Sequence, residues 1–145
     1  MELSIQTALL NVTDLRSSID FYQDVFDLGV ISQQEEVAAL MVHEANRNQV
    51  LLLRELRGKS HHAGERNVGL RMLSFETGST SELDAIEQKL AGRHALVWRK
   101  ETSSYRGIMG VDPDRIEICA AASLTGTPIS REDWEEIDDL IYAIE

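Results

Sequence analysis

The sequence predicts an α+β fold: a β-α-β-β-β unit, a second such unit, and a C-terminal amphipathic helix. Three observations carry this. A strand pattern runs straight into a helix pattern at residues 5–29, the same element order restarts after a polar stretch at 57–66, and a helical apolar stripe appears after residue 130. In "IQTALLNVTDLRSSIDFYQDVFDLG", Ala8, Leu10 and Val12 alternate, and Leu15, Ile19, Tyr22 and Phe26 then recur at helical spacing. Both patterns offer one apolar face, so strand and helix can bury each other. Thr13 or Asp14 can accept from the first helical amides, and Gly29 is the expected stop. The strand's other face carries Thr7, Leu9 and Asn11.

Three strands are expected next, in "VISQQ", "VAALMVHEA" and "QVLLLREL", with "NRN" at 46–48 as the turn before the last. The first module therefore spans residues 4–56. The polar, glycine-containing "RGKSHHAGER" reads as a surface linker. The second module, residues 67–122, has a strand in "VGLRMLSFE" and a helix in "STSELDAIEQKLAG". Ser79 and Glu82 are spaced for a capping box, and Gly92 is the expected stop. Strands follow in "HALVWRKE", "YRGIMGV" and "RIEICAA". Offsetting the halves by about 65 puts Leu73 and Phe75 where Ala8 and Leu10 stand, facing the helix, and leaves Met72, Ser74 and Glu76 on the other face. Residues 1–123 form the expected domain and 124–145 a helical extension. Ser130 is its N-cap, and Trp134, Ile137, Ile141 and Ile144 form a stripe that must bury against the body or a second subunit.

Composition narrows the function. With 145 residues, 43% hydrophobic and 27% charged, the chain has the apolar mass for a real core. A net charge of −11 disfavours nucleic acid and anionic membrane as partners. Residues 131–145 carry −6 of it, the pattern of a solvated helix face. There is no membrane-length apolar run and no signal-peptide pattern, and Cys119 is the lone cysteine, so a cytoplasmic protein is expected.

Two segments carry a resemblance. "VTDLRSSIDFYQDVFDLG", with Asp14-Leu15, Ser18, Phe21-Tyr22 and Leu28-Gly29, resembles the strand-to-helix signature of the vicinal oxygen chelate superfamily, the glyoxalase, bleomycin-resistance and extradiol-dioxygenase group. "VDPDRIEI", residues 111–118, resembles that group's second signature, though the glycine and one further residue that usually follow the second Asp are absent. The resemblance implies two βαβββ modules forming a curved mixed sheet around a cavity. It also implies a divalent metal on a His or Gln, a Glu, a His and a Glu from the first and last strands of each module. Carried over residue by residue, these positions are Thr7, Leu51 or Leu52, Met72 and Glu117. One carboxylate among such neighbours cannot hold Zn²⁺, Fe²⁺ or Mn²⁺ well, so no metal and no cofactor is expected.

Glu117 is the best catalytic or ligand-anchoring candidate, or instead a relic paired with Arg115, Arg71 or Lys100; buried, it needs a donor nearby or a raised pKa. Asn11, Ser74 and Glu76 either bind ligand polar groups or lie in water at the sheet's end. Trp98 and Tyr105 either wall a flat ligand or pack in a core. His61 and His62 lie in the linker, and His43 and His94 have no partner at metal-binding spacing. Cys119 reads as a small buried residue. The expected protein is a metal-free small-molecule binder similar to the bleomycin-resistance branch, working as a homodimer. Its expected ligand-binding residues are Thr7, Leu9, Asn11, Met72, Ser74, Glu76, Trp98, Tyr105 and Glu117. The alternative is a metal-dependent dioxygenase or lyase with displaced ligands, such as Glu117 with Glu76 and a histidine. A metal-free enzyme using Glu117 as base is a third reading.

Overall fold

The computed structural model describes residues 1–45, 48–56, 70 and 72–144, with side chains to residue 137. The expected linker at 57–66 and part of the 46–48 turn lie outside these residues. The chain divides into two compact units, and residues 112–115 belong to the first.

The first unit is β1 (Thr7–Val12), α1 (Leu15–Phe26), β2 (Gly29–Gln33), β3 (Val37–Met41) and β4 (Val50–Glu55), in sheet order β1-β4-β3-β2. The β1–β4 pair is parallel and the others are antiparallel. Period-two alternation splits the sheet into two faces. Leu10, Val12, Ala38, Leu40, Leu51 and Leu53 are buried, as are Leu15, Ile19, Tyr22 and Val25 of α1. Asp14 caps α1, accepting from the Ser17 amide at 3.0 Å, and Glu55 accepts from the Leu15 amide at 2.9 Å. Asp27, not Gly29, closes α1: it takes a left-handed φ of 55° and donates its amide to the Tyr22 carbonyl. Aspartate tolerates that conformation, which frees Gly29 to open β2.

The two signature segments meet in this unit. Tyr22 OH donates to Asp112 Oδ2 at 2.8 Å. Asp114 accepts from the Thr13 amide at 3.1 Å and from Thr13 Oγ1 at 2.7 Å. The Asp114 amide donates to Asp112 Oδ1 at 2.8 Å. Asp112 and Asp114 are each only 4% exposed, and these donors are what make burying two carboxylates tolerable. Arg115 then turns the chain at φ 67°, a left-handed geometry that a glycine adopts without steric cost.

The second unit holds β5 (Met72–Thr77), α2 (Thr80–Gly92), β6 (Leu96–Glu101), β7 (Tyr105–Val111), β8 (Glu117–Ser123) and α3 (Arg131–Ile144). Its sheet order, β5-β8-β7-β6, repeats the first, again with one parallel pair. The capping box is shifted by one residue. Ser79 Oγ accepts from the Glu82 amide at 3.2 Å, but Glu82 reaches back to the Gly78 amide at 2.8 Å. Gly92 is still helical; Arg93 is the C-cap, and His94 makes the left-handed turn at φ 57°. Gly110 lets α2 approach β7: a Cβ there would meet Leu90 Cδ2 at 2.7 Å and the Ala95 carbonyl at 2.8 Å. Ser130 caps α3, accepting from the Asp133 amide at 3.1 Å.

The described part of the expected stripe packs in cis. Ile137 is 1% exposed and Ile129 9%; both pack with Tyr105, Met109, Cys119 and Ala121, flanked by Met72, Trp98 and Trp134. Thus α3 covers the face of the second sheet that α2 leaves free. The side chains of Ile141 and Ile144 lie beyond those described. No described helix is long and apolar enough to cross a membrane.

Candidate functional site

The candidate residues lie on the sheet faces turned away from α1 and α2. In the first unit, β1 presents Thr7, Leu9 and Asn11, all exposed, paired in register with Val50, Leu52 and Arg54 of β4. Leu9 is 47% exposed. This register settles the open position on β4. Leu52 shares the face of Thr7 and Leu9, whereas Leu51 points to the core and is 2% exposed. Asn11 Oδ1 accepts from Arg54 Nε at 3.0 Å, so its carbonyl is engaged. The face is apolar in its middle, with Leu9 and Leu52 side by side, and polar toward its Asn11 end.

In the second unit, Met72, Ser74 and Glu76 pair with Glu117, Cys119 and Ala121 of β8. The Cys119 thiol lies 3.3 Å from Met72 Sδ, a soft contact inside the cluster under α3. Glu117 is half-buried at the start of β8. Glu76 is engaged: its Oε1 accepts from the Ile129 amide at 3.0 Å, which ties the chain before α3 to β5. Ser74 is exposed.

Tyr105 is fully buried, and among the described residues its hydroxyl has no hydrogen-bond partner, nor has the buried indole Nε1 of Trp98. Burial pushes the Tyr105 phenol up from its ordinary range, with Glu136 and Asp133 reinforcing and Lys100 opposing. Burial also raises Tyr22, seconded by the charges of Asp112 and Asp114 and the bond to Asp112.

The donor set does not fit the metal that the resemblance implies. Of the four carried-over positions, Thr7 supplies a neutral hydroxyl, Leu52 nothing and Met72 a thioether, and Glu117 alone is a hard anionic donor. No cluster of three or more His, Cys, Asp or Glu suited to a metal occurs among the described residues. His61 and His62 lie outside them. Glu76 and Glu117 lie four ladder positions apart, roughly 13 Å along the strands at about 3.3 Å per residue, so they cannot share one ion.

Sequence reasoning placed these faces but missed two things. The Tyr22–Asp112 and Thr13–Asp114 contacts join segments about 100 residues apart, and only the co-occurrence of the two signatures hinted at them. The cover over Tyr105 and Trp98 was carried by the Trp134/Ile137 stripe, which does not say which surface it seeks.

A β-α-β-β-β module repeated with the same strand order defines a paired-module α+β protein. The model of the Glyoxalase/Bleomycin resistance protein/Dioxygenase superfamily matches residues 4–120, and the chain belongs to that superfamily. Among solved structures it is similar to a glyoxylase/bleomycin resistance protein/dioxygenase domain from Frankia sp. EAN1pec, with 23% identity and a TM-score of 0.72, covering 85% of this chain and 99% of that one. It is similar to the fosfomycin resistance protein FosX from Listeria monocytogenes at 18% identity and TM-score 0.65, covering 84% and 94%. It is also similar to lactoylglutathione lyase from Agrobacterium tumefaciens at 19% identity and TM-score 0.61, covering 82% and 92%. At these identities the likeness shows the fold. No curated protein matches the chain.

Proposed function

We propose that the protein binds a small molecule without a metal, on the sheet faces turned away from α1 and α2, and acts by holding its ligand. The observation that supports this is the replacement of three of the four expected ligand positions by Thr7, Leu52 and Met72, none of which offers a charged donor. On the first sheet, Leu9 and Leu52 supply apolar contact, while Thr7 and Asn11 supply neutral hydrogen-bonding groups. That combination suits a mostly apolar ligand with a few polar atoms. Met72, Ser74, Glu76, Trp98, Tyr105 and Glu117 are the proposed ligand-facing residues of the second sheet. A homodimer is the proposed working form.

Elemental analysis tests the reading. Purified protein, dialysed after incubation with Zn²⁺, Fe²⁺ or Mn²⁺, is expected to retain far less than one ion per chain. Near-stoichiometric retention that Glu117→Ala abolishes would overturn it in favour of the metal-dependent dioxygenase or lyase reading. Sedimentation velocity decides the dimer.

A further inference from the structure

Two hydrogen-bond donors are sealed in an apolar cluster with nothing to bond among the described residues. Tyr105 OH and Trp98 Nε1 both belong to the second sheet's α2-free face, and Tyr105 is 0% exposed. Burying a donor without an acceptor is costly, so a fold keeps one for a reason or fills it with a partner. The Tyr105 ring lies along β7 over Gly107, its Cε2 3.6 Å from where a Cβ would stand, an ordinary packing distance. Around the pair are the soft, uncharged side chains of Met72, Met109 and Cys119, while Glu136, Asp133 and Lys100 act on the Tyr105 phenol from beyond hydrogen-bonding reach.

What seals the pair is α3 and the segment before it, through Ile129, Trp134 and Ile137. Among the described residues, two polar anchors hold this cover. The Ile129 amide donates to Glu76, and Lys100 pairs with Glu136 at a site where both remain substantially exposed. An exposed pair holds weakly, and the sequence of the cover is acidic, with −6 over residues 131–145.

We propose that α3 is a displaceable cover over a binding site whose polar recognition is the Tyr105–Trp98 donor pair. Its ligand is a flat, apolar, uncharged molecule carrying a hydrogen-bond acceptor such as a carbonyl oxygen. Two donors with no acceptor beside them select an acceptor, the aromatic and thioether walls select a flat apolar body, and the acidic cover disfavours an anion. The inference rests on the proposed ligand-binding reading and adds to it the ligand class and the gate.

Two full-length variants lift the cover by different means. Ile137→Asp puts a charge into the cluster, and Glu135→Pro breaks α3 at an exposed position without touching the sheet. Both tryptophans of the chain, Trp98 and Trp134, belong to this interface, so acrylamide quenching of their emission reports that the cover has lifted. The ligand probe is the neutral naphthalene ketone 6-propionyl-2-dimethylaminonaphthalene, followed by its fluorescence. Each variant is expected to bind it about tenfold more tightly than the unmodified protein. Adding Tyr105→Phe to either is expected to weaken the probe about fivefold, the worth of one hydrogen bond. Circular dichroism shows whether the sheets stay intact in Ile137→Asp; if they do not, Glu135→Pro decides. Raised quenching with unchanged probe affinity would overturn the cover, and indifference to Tyr105→Phe would overturn the donor pair. Neither result bears on metal content, so the failure of metal-free binding is read separately by elemental analysis.

Discussion

Tyr22→Phe turns the buried Tyr22–Asp112 contact into a pH-dependent measurement. Tyr22 is fully buried and donates to Asp112, itself 4% exposed, at 2.8 Å. Removing the hydroxyl leaves Asp112 short of one donor but still bonded to the Asp114 amide. A hydrogen bond to a charged group contributes about 1.5–3 kcal/mol, so the variant should be about 2 kcal/mol less stable at pH 7. Burial, seconded by the charge of Asp112, raises the Tyr22 pKa in the folded state. The folded protein therefore holds this proton more tightly than the unfolded chain. The contribution is complete below the unfolded pKa of about 10, and it is lost as pH rises above that value, at about 1.4 kcal/mol per pH unit. Phenylalanine has nothing to ionise. The stability gap between the two proteins should thus hold from pH 7 to about 9.5, narrow above pH 10 and vanish near about pH 11.5. The raised Tyr105 pKa adds a loss of the same sign, but it is common to both proteins and cancels in the difference. Urea denaturation followed by far-ultraviolet circular dichroism across this pH range gives the gap directly. A gap that stays constant to pH 11.5 would show that Tyr22 ionises in place and would refute its burial against Asp112.

Two further changes test local geometry. Arg115 sits at φ 67°, where a side chain costs about 1–2 kcal/mol and glycine does not. Allowing for the greater unfolded-state entropy of glycine, Arg115→Gly should stabilise the protein by roughly 0.5–1 kcal/mol, read as a higher urea midpoint at unchanged slope. Met72→His would place an imidazole beside Cys119, whose thiol lies 3.3 Å from Met72 Sδ, and in register with Glu117. That makes three donors on one face, so Zn²⁺ should bind this variant at least tenfold more tightly than the unmodified protein in calorimetry. Equal affinity would show that these side chains do not converge.

Most of the fold is legible in the sequence because its signals are local. Alternation at Ala8, Leu10 and Val12, helical spacing at Leu15, Ile19 and Tyr22, and caps at Thr13 or Asp14, Ser79 and Ser130 act within a few residues, and each element stands within a few residues of where these placed it. The same locality decides which side chains leave the helix-packed faces, so Thr7, Leu9, Asn11, Met72, Ser74, Glu76 and Glu117 could be set on one side of their strands. The helix ends were misread at Gly29 and Gly92. Asp27 and His94 adopt the left-handed turn themselves, and propensity alone does not reveal which residue will. Tertiary structure decided everything that depends on what two distant segments do together. It joined Thr13 to Asp114 and Tyr22 to Asp112, and it chose Leu52 over Leu51 through strand register. It also placed Tyr105, which the sequence left between ligand wall and core, under α3 as a sealed donor. An apolar stripe carries the free energy of burial but no address. Its destination depends on which complementary apolar face the finished fold leaves uncovered.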